Sequence, residues 1–181
     1  MVTSTRLTLG QFLAMPDIDE RRLELINGEV YEKVPPRWGH SRIALRIGEI
    51  LNRYGVAGVE ARAIIPPTSR FGASAPLPDV AYYRTAPPPD DDWMREPPDV
   101  VVEVLSLGQS RREMRAKVEL YVAFGVKSVW VADLERELID VYEEGGRRTF
   151  ARGEELETAH VPGLRLAVGQ LFDPPAPATE N

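Results

Sequence analysis

Three residues of this chain could do chemistry together: Asp79, Glu103 and Lys117. Glu103 stands inside VVVEVLS, the most apolar strand-like run of the sequence. An ionised carboxylate there is costly unless it is paired or bound to a cation. A strand-end salt bridge to an arginine would meet that need. Asp79 offers another answer. It opens PDVAYY directly after Pro78, and although Pro-Asp alone marks a turn, PDV begins one strand and EVL lies in the next. Two carboxylates can then meet across neighbouring strands. Oxygen donors converging from rigid strands suit a hard divalent ion, Mg²⁺ or Mn²⁺, which keeps several waters for substrate. Lys117, in RREMRAKVELY, falls at the edge of an apolar helix face marked by Met114, Val118 and Tyr121. From that edge its stem can follow the core and deliver the ammonium to a strand end. A surface pair with Glu113, four residues earlier, is the competing destination.

The elements that must position these groups read in order. Residues 7–15 form a short helix with Thr8 as cap and Pro16 as its stop. Alternating residues flank Asn27-Gly28, the strongest short hairpin signal, so strands are expected at 21–26 and 29–34. Ile43, Ile47, Ile50, Leu51 and Tyr54 recur at helical spacing, giving an amphipathic helix over 38–54 with Arg42, Arg46 and Glu49 outward. Strands follow at 59–66 and 78–83. Residues 84–98, rich in proline and aspartate, read as an exposed excursion. The run 99–106 has the pattern of a strand buried on both faces, and 110–124 is a second helix. KSVWVAD, LIDVYEE and RRTFAR supply three more strands, GLRLAV a last one, and residues 173–181 a frayed tail. The fold class is therefore α/β, a mixed α+β sheet flanked by helices around a strand–helix–strand unit, in one domain over 1–172.

Composition bounds the chemistry. With 181 residues, 43% hydrophobic and 28% charged, the chain can bury a substantial core. It contains no cysteine, which removes thiol catalysis, disulfides and Cys-ligated zinc. His40 and His160 are its two histidines, so a zinc enzyme is not expected. No nucleophile elbow, P-loop or dinucleotide fingerprint occurs. The opening MVTSTRLTLGQFLAMPD lacks a signal-peptide pattern and no apolar run reaches membrane-spanning length, which makes a cytoplasmic location the expectation. Arginine dominates over the three lysines, Lys33, Lys117 and Lys127, and proline is abundant. That balance suits a thermophile, as would a GC-rich coding bias. The net charge of −6 argues against a broadly basic nucleic-acid surface.

The series RLELINGEVYE, PPRWGHSRI, PDVAYY, PDVVVEVLS and RREMRAKVELYVAFGVKSVWVAD, over roughly residues 5–170, resembles the bacterial family labelled putative restriction endonuclease, of the PD-(D/E)XK nuclease superfamily. The resemblance implies a restriction-endonuclease-like core with an N-terminal β-hairpin. It implies Asp79 as the PD aspartate and Glu103 as the second acid. The third position of E-x-K is Leu105, so the lysine is implied on the following helix, at Lys117. Glu24 matches a family acid near the metal and His40 a histidine at the start of the first long helix. A solvated hairpin residue and a packing histidine are the alternatives for those two. SLGQS departs from the family's Ser-Pro-Ser/Thr turn, and Glu113 stands where aspartate is usual.

On this resemblance the expected activity is Mg²⁺- or Mn²⁺-dependent endonucleolytic hydrolysis of DNA. Asp79, Glu103 and the Val104 carbonyl would hold the metal, Lys117 would assist, and Glu24 would shape a second metal position. Arg111, Arg112, Arg115 and Lys117 would supply local positive charge, and a homodimer is expected. Lys117→Met is expected to leave folding nearly intact and to abolish cleavage. The alternative is a non-catalytic, nuclease-derived binding or regulatory module. Such a module should have lost its acids or its lysine, and this sequence keeps all three.

Overall fold

The computed structural model describes residues 6–85, 93–105 and 111–174. Residues 1–5, residues 86–92 of the proline-rich segment, residues 106–110 (SLGQS) and residues 175–181 lie outside the described part.

The centre of the fold is β5 (Val100–Leu105), the valine-rich run. Parallel pairing joins it to β6 (Ser128–Asp133), and α3 (Arg111–Phe124) connects the two. Antiparallel pairing adds β4 (Val80–Tyr83) and β3 (Val56–Val59) on one side. On the other side stand β7 (Leu138–Glu143) and β8 (Gly146–Ala151), completing a six-stranded mixed sheet in the order β3-β4-β5-β6-β7-β8. Period-2 alternation divides β5 between two cores. Val100, Val102 and Val104 pack with Ile43, Ile47 and Leu51 of α2 (Trp38–Leu51). Val101 packs with Met114, Val118 and Tyr121 of α3. A strand covered on both faces explains the unbroken apolar run. It also leaves Glu103 on the α3 face, two residues along from Val101.

A separate hairpin, β1 (Leu23–Ile26) and β2 (Glu29–Glu32), turns through Asn27 and Gly28, whose φ values of 52° and 82° are those of a type I′ turn. Its two strands differ sharply in burial. Leu23, Glu24 and Leu25 are buried, whereas all of β2 is exposed. The buried strand docks through Leu25, whose backbone exchanges hydrogen bonds with Ala75, and through Asn27, whose N–H donates to Ser74 Oγ at 2.9 Å. α1 (Leu9–Leu13) closes over this region, with Thr8 and Gln11 forming a reciprocal capping box.

Three expectations need correction. The strand anticipated at 59–66 lies earlier, at Val56–Val59, and residues 63 and 65 make only isolated bridges. Glu60 has a φ of 52°, which breaks the ladder. Beyond it the buried Arg62 guanidinium bonds the carbonyls of Ile18, Leu23 and Ala75 and the Asp19 carboxylate, tying loop to hairpin instead of sheet. The excursion over 84–98 is not wholly exposed, since Met94 is buried and bridges Ala63. The long helix ends at Leu51 rather than near Tyr54. Its Arg42 and Arg46 donate to carbonyls at the end of α4 (Gly169–Phe172), a turn not anticipated, beside the small pair β9 (Glu155–Leu156) and β10 (Leu166–Ala167).

Gly72 gives the hairpin dock a direct test. A Cβ there would lie 2.9 Å from the backbone carbonyl carbon and oxygen of Asn27. Backbone at that distance has to move, so Gly72→Ala should cost about 1–3 kcal/mol. Gly58→Ala, on the edge strand β3 with nothing within 4 Å, should be near neutral. Thermal denaturation of the two variants against the parent protein measures the difference; equal melting temperatures would count against this packing.

Candidate active site

Where β4 begins and β5 ends, five elements deliver titratable side chains to one place. Val80 pairs with Val102, and one residue beyond that pair come Asp79 and Glu103. Both are 2% exposed. Glu24 arrives from β1, His40 from the first turn of α2 and Lys117 from α3; all are buried. Lys33, just past β2, reaches in with its side chain 13% exposed.

The contacts form two linked groups. Lys117 Nζ lies 2.8 Å from Glu24 Oε1 and 3.2 Å from Glu103 Oε1. Its direction is therefore inward to two acids. The Tyr121 hydroxyl donates to Glu103 Oε1 at 2.7 Å, and the Leu77 N–H donates to Glu24 Oε1 at 2.7 Å. In the second group Lys33 Nζ lies 2.5 Å from Asp79 Oδ1 and also donates to the Leu77 carbonyl at 2.7 Å. Asp79 Oδ2 accepts from the Val104 N–H at 2.6 Å and lies 3.1 Å from His40 Nε2. Val104 thus meets Asp79 through its N–H. An Nε2 facing a carboxylate carries a proton to donate, and the other ring nitrogen is His40 Nδ1. That Nδ1 is buried without a hydrogen-bond partner among the described residues.

The electrostatics follow from three carboxylates sharing two ammonium groups. Burial pushes the Asp79 carboxyl up, but the His40 hydrogen bond and the nearby Lys33 charge outweigh it, holding Asp79 far below the usual carboxylate range. Glu103 moves the other way. Burial raises it, Lys117 and Lys33 oppose, and the charges of Asp79 and Glu24 add to the rise. Burial alone would lower Lys117, yet Glu103 and Glu24 hold its ammonium well above the ordinary lysine value. Burial and Glu103 keep the Tyr121 phenol protonated far beyond its usual range. Lys117 is therefore a firm cation and Tyr121 a firm donor.

Asp79 and Glu103 supply the two carboxylates that Mg²⁺ commonly takes from a protein while retaining waters. Among the described residues no group of three or more His, Asp or Glu side chains forms a ready cage round an ion. The chemistry of these two oxygen donors suits a hard cation that keeps several waters; no closed structural metal site occurs among the described residues. Of the arginines expected to add local charge, Arg111 is engaged with Asp133 at 2.5 Å, while Arg112 and Arg115 are exposed.

Two members of the cluster escaped the sequence reading. Tyr121 counted there only as core, and Lys33 only as the end of a hairpin strand. In a chain that uses arginine almost throughout, each of the three lysines forms an ion pair with an acid: Lys33 with Asp79, Lys117 with Glu24 and Glu103, Lys127 with Asp99. A compact ammonium enters such a space where a planar guanidinium does not.

Comparison with known proteins agrees with the fold. The crystal structure of a protein described as a putative nuclease belonging to DUF820, from Anabaena variabilis, superposes with a TM-score of 0.77. The match covers 92% of this chain and 97% of that one at 23% sequence identity, a likeness that bears on fold alone. No curated protein matches the chain. The sequence profile of Uma2, described as "Putative restriction endonuclease", matches residues 9–169, and the chain belongs to that family.

Proposed function

We propose that this protein is a divalent-metal-dependent endonuclease acting on DNA, with Asp79, Glu103 and Lys117 at its active centre. The observation that carries the reading is the convergence of Asp79, Glu103, Glu24 and Lys117 at one end of the central sheet. So costly a set of buried charges has no packing purpose that apolar residues would not serve as well. Family membership and the nuclease-like fold supply the class of reaction.

When bound, a Mg²⁺ or Mn²⁺ ion supplies Lewis acidity toward a scissile phosphate and an attacking water. Asp79 and Glu103 would hold the ion, with the Val104 carbonyl as a further ligand. His40 fixes the orientation of Asp79 through Oδ2, and Tyr121 fixes Glu103. Lys117, held charged by Glu103 and Glu24, serves as a donor to a phosphate oxygen or to the attacking water. Glu24, braced by the Leu77 N–H, shapes a second cation position. The acidic net charge makes DNA affinity weak and strongly salt-dependent. Cutting both strands of a duplex calls for two centres, which favours a homodimer; sedimentation at micromolar concentration tests that, and a monomer alone would count against it. Among the described residues no helix is long and apolar enough to cross a membrane.

Cleavage of plasmid and single-stranded DNA with Mg²⁺ or Mn²⁺ tests the reading. Asp79→Asn and Glu103→Gln should each reduce metal-dependent cleavage by at least about a hundredfold. Unchanged cleavage by either variant, or none by the parent protein, would sink the assignment.

Burial changes the expectation for Lys117→Met. The sequence alone implies little effect on folding, but Lys117 is 7% exposed and its ammonium bridges two buried carboxylates. Removing it leaves both acids uncompensated, at a cost of about 3 kcal/mol or more. Denaturant unfolding should show that loss, and cleavage assayed where circular dichroism finds the variant folded should still be absent. A stable, fully active Lys117→Met protein would remove this lysine from the site.

A further inference from the structure

We propose that Lys33 is an exchangeable countercation: its ammonium pairs with Asp79 and is expelled when a divalent ion binds. The inference rests on the two-carboxylate metal reading above. Among the described residues Asp79 has three donors, and two of them are fixed. The Val104 N–H belongs to the backbone of a central strand, and His40 is buried in the first turn of α2. Lys33 differs from both. Its Nζ sits 2.5 Å from Asp79 Oδ1 and 2.7 Å from the Leu77 carbonyl, a cation between a carboxylate and a carbonyl oxygen. An ion bound to that side of Oδ1 and this ammonium cannot share the space.

Charge points the same way. Three carboxylates, Glu24, Asp79 and Glu103, face two ammonium groups, Lys33 and Lys117. Adding a divalent ion to both lysines would leave surplus positive charge in a buried site, whereas exchanging it for one lysine leaves the site balanced. Lys117 is the wrong one to lose, being enclosed between two acids on a buried helix face. Lys33 follows a fully exposed strand and precedes Val34, which is 75% exposed. Its four-carbon stem can swing the ammonium into water without moving the backbone.

Isothermal titration of metal-free protein with MnCl₂ tests this, using the parent protein, Lys33→Met, Lys33→Gln and Asp79→Asn at one pH and ionic strength. Both Lys33 variants should bind Mn²⁺ about tenfold tighter or more, because no resident cation has to leave, and Asp79→Asn should lose the site. Equal or weaker binding by the folded Lys33 variants, with the parent still binding through Asp79, overturns the exchange and leaves the metal reading standing. No binding by parent or variants overturns both. A second measurement needs no substitution. Acetylation with a limiting amine-reactive reagent, read by peptide mass spectrometry, compares Lys33 with Lys127. Saturating Mn²⁺ should raise Lys33 labelling several-fold relative to Lys127; an unchanged or lower ratio overturns the proposal.

Discussion

The constraint from which the rest of this structure follows is the burial of three carboxylates at one end of a sheet. Glu24, Asp79 and Glu103 are each at most 4% exposed. Unpaired, such groups would either take up protons or unfold the chain. The geometry answers with two lysines from opposite directions, a histidine, a buried phenol and two backbone N–H groups. Nearly every structural choice nearby serves that answer. α3 packs so that the edge of its apolar stripe faces Glu103, and the hairpin lies with one strand buried so that Glu24 can meet Lys117.

The hairpin matters most in this respect. It belongs to a separate two-stranded sheet, yet it supplies one acid from its buried strand and one cation from beyond its exposed strand. Its attachment is largely polar: the Leu25–Ala75 bridge, the Asn27–Ser74 contact and the Arg62 guanidinium on the Leu23 carbonyl. Phe12, Ile18, Leu23, Leu25 and Ile64 add a satellite core beneath it. The charged cluster and the hairpin dock therefore support one another, since loosening either exposes the other to water.

Much of this was legible in the sequence, for reasons that differ by element. The hairpin was readable because Asn-Gly satisfies the positive φ values of a two-residue turn at little steric cost. The central strand was readable because double-sided burial erases polar alternation, and the two long helices because their apolar residues recur at helical spacing. The acids Asp79 and Glu103 stood out as charges placed against apolar runs. Glu24 and His40 came from family likeness alone, since a hairpin glutamate and a helix-start histidine look the same whether solvated or buried. The strand at 59–66 was misplaced because local pattern cannot foresee Arg62 spending its donors on loop carbonyls. Lys33 was missed because an ammonium at the end of an exposed strand has the sequence signature of solvent.

The cluster draws on positions 24, 33, 40, 79, 103 and 117, spread over half the chain. No local segment contains a working subset. Contacts of such sequence separation form late, after most loop-closure entropy has been lost. During synthesis, Glu24 and Glu103 leave the ribosome before Lys117, so these two acids wait for a partner that arrives with α3. A nascent or truncated chain ending before that helix holds Lys33 and His40 for Asp79 but no ammonium for Glu24 and Glu103. It stays open at this end of the sheet, and the site proposed for phosphodiester chemistry belongs only to the finished fold.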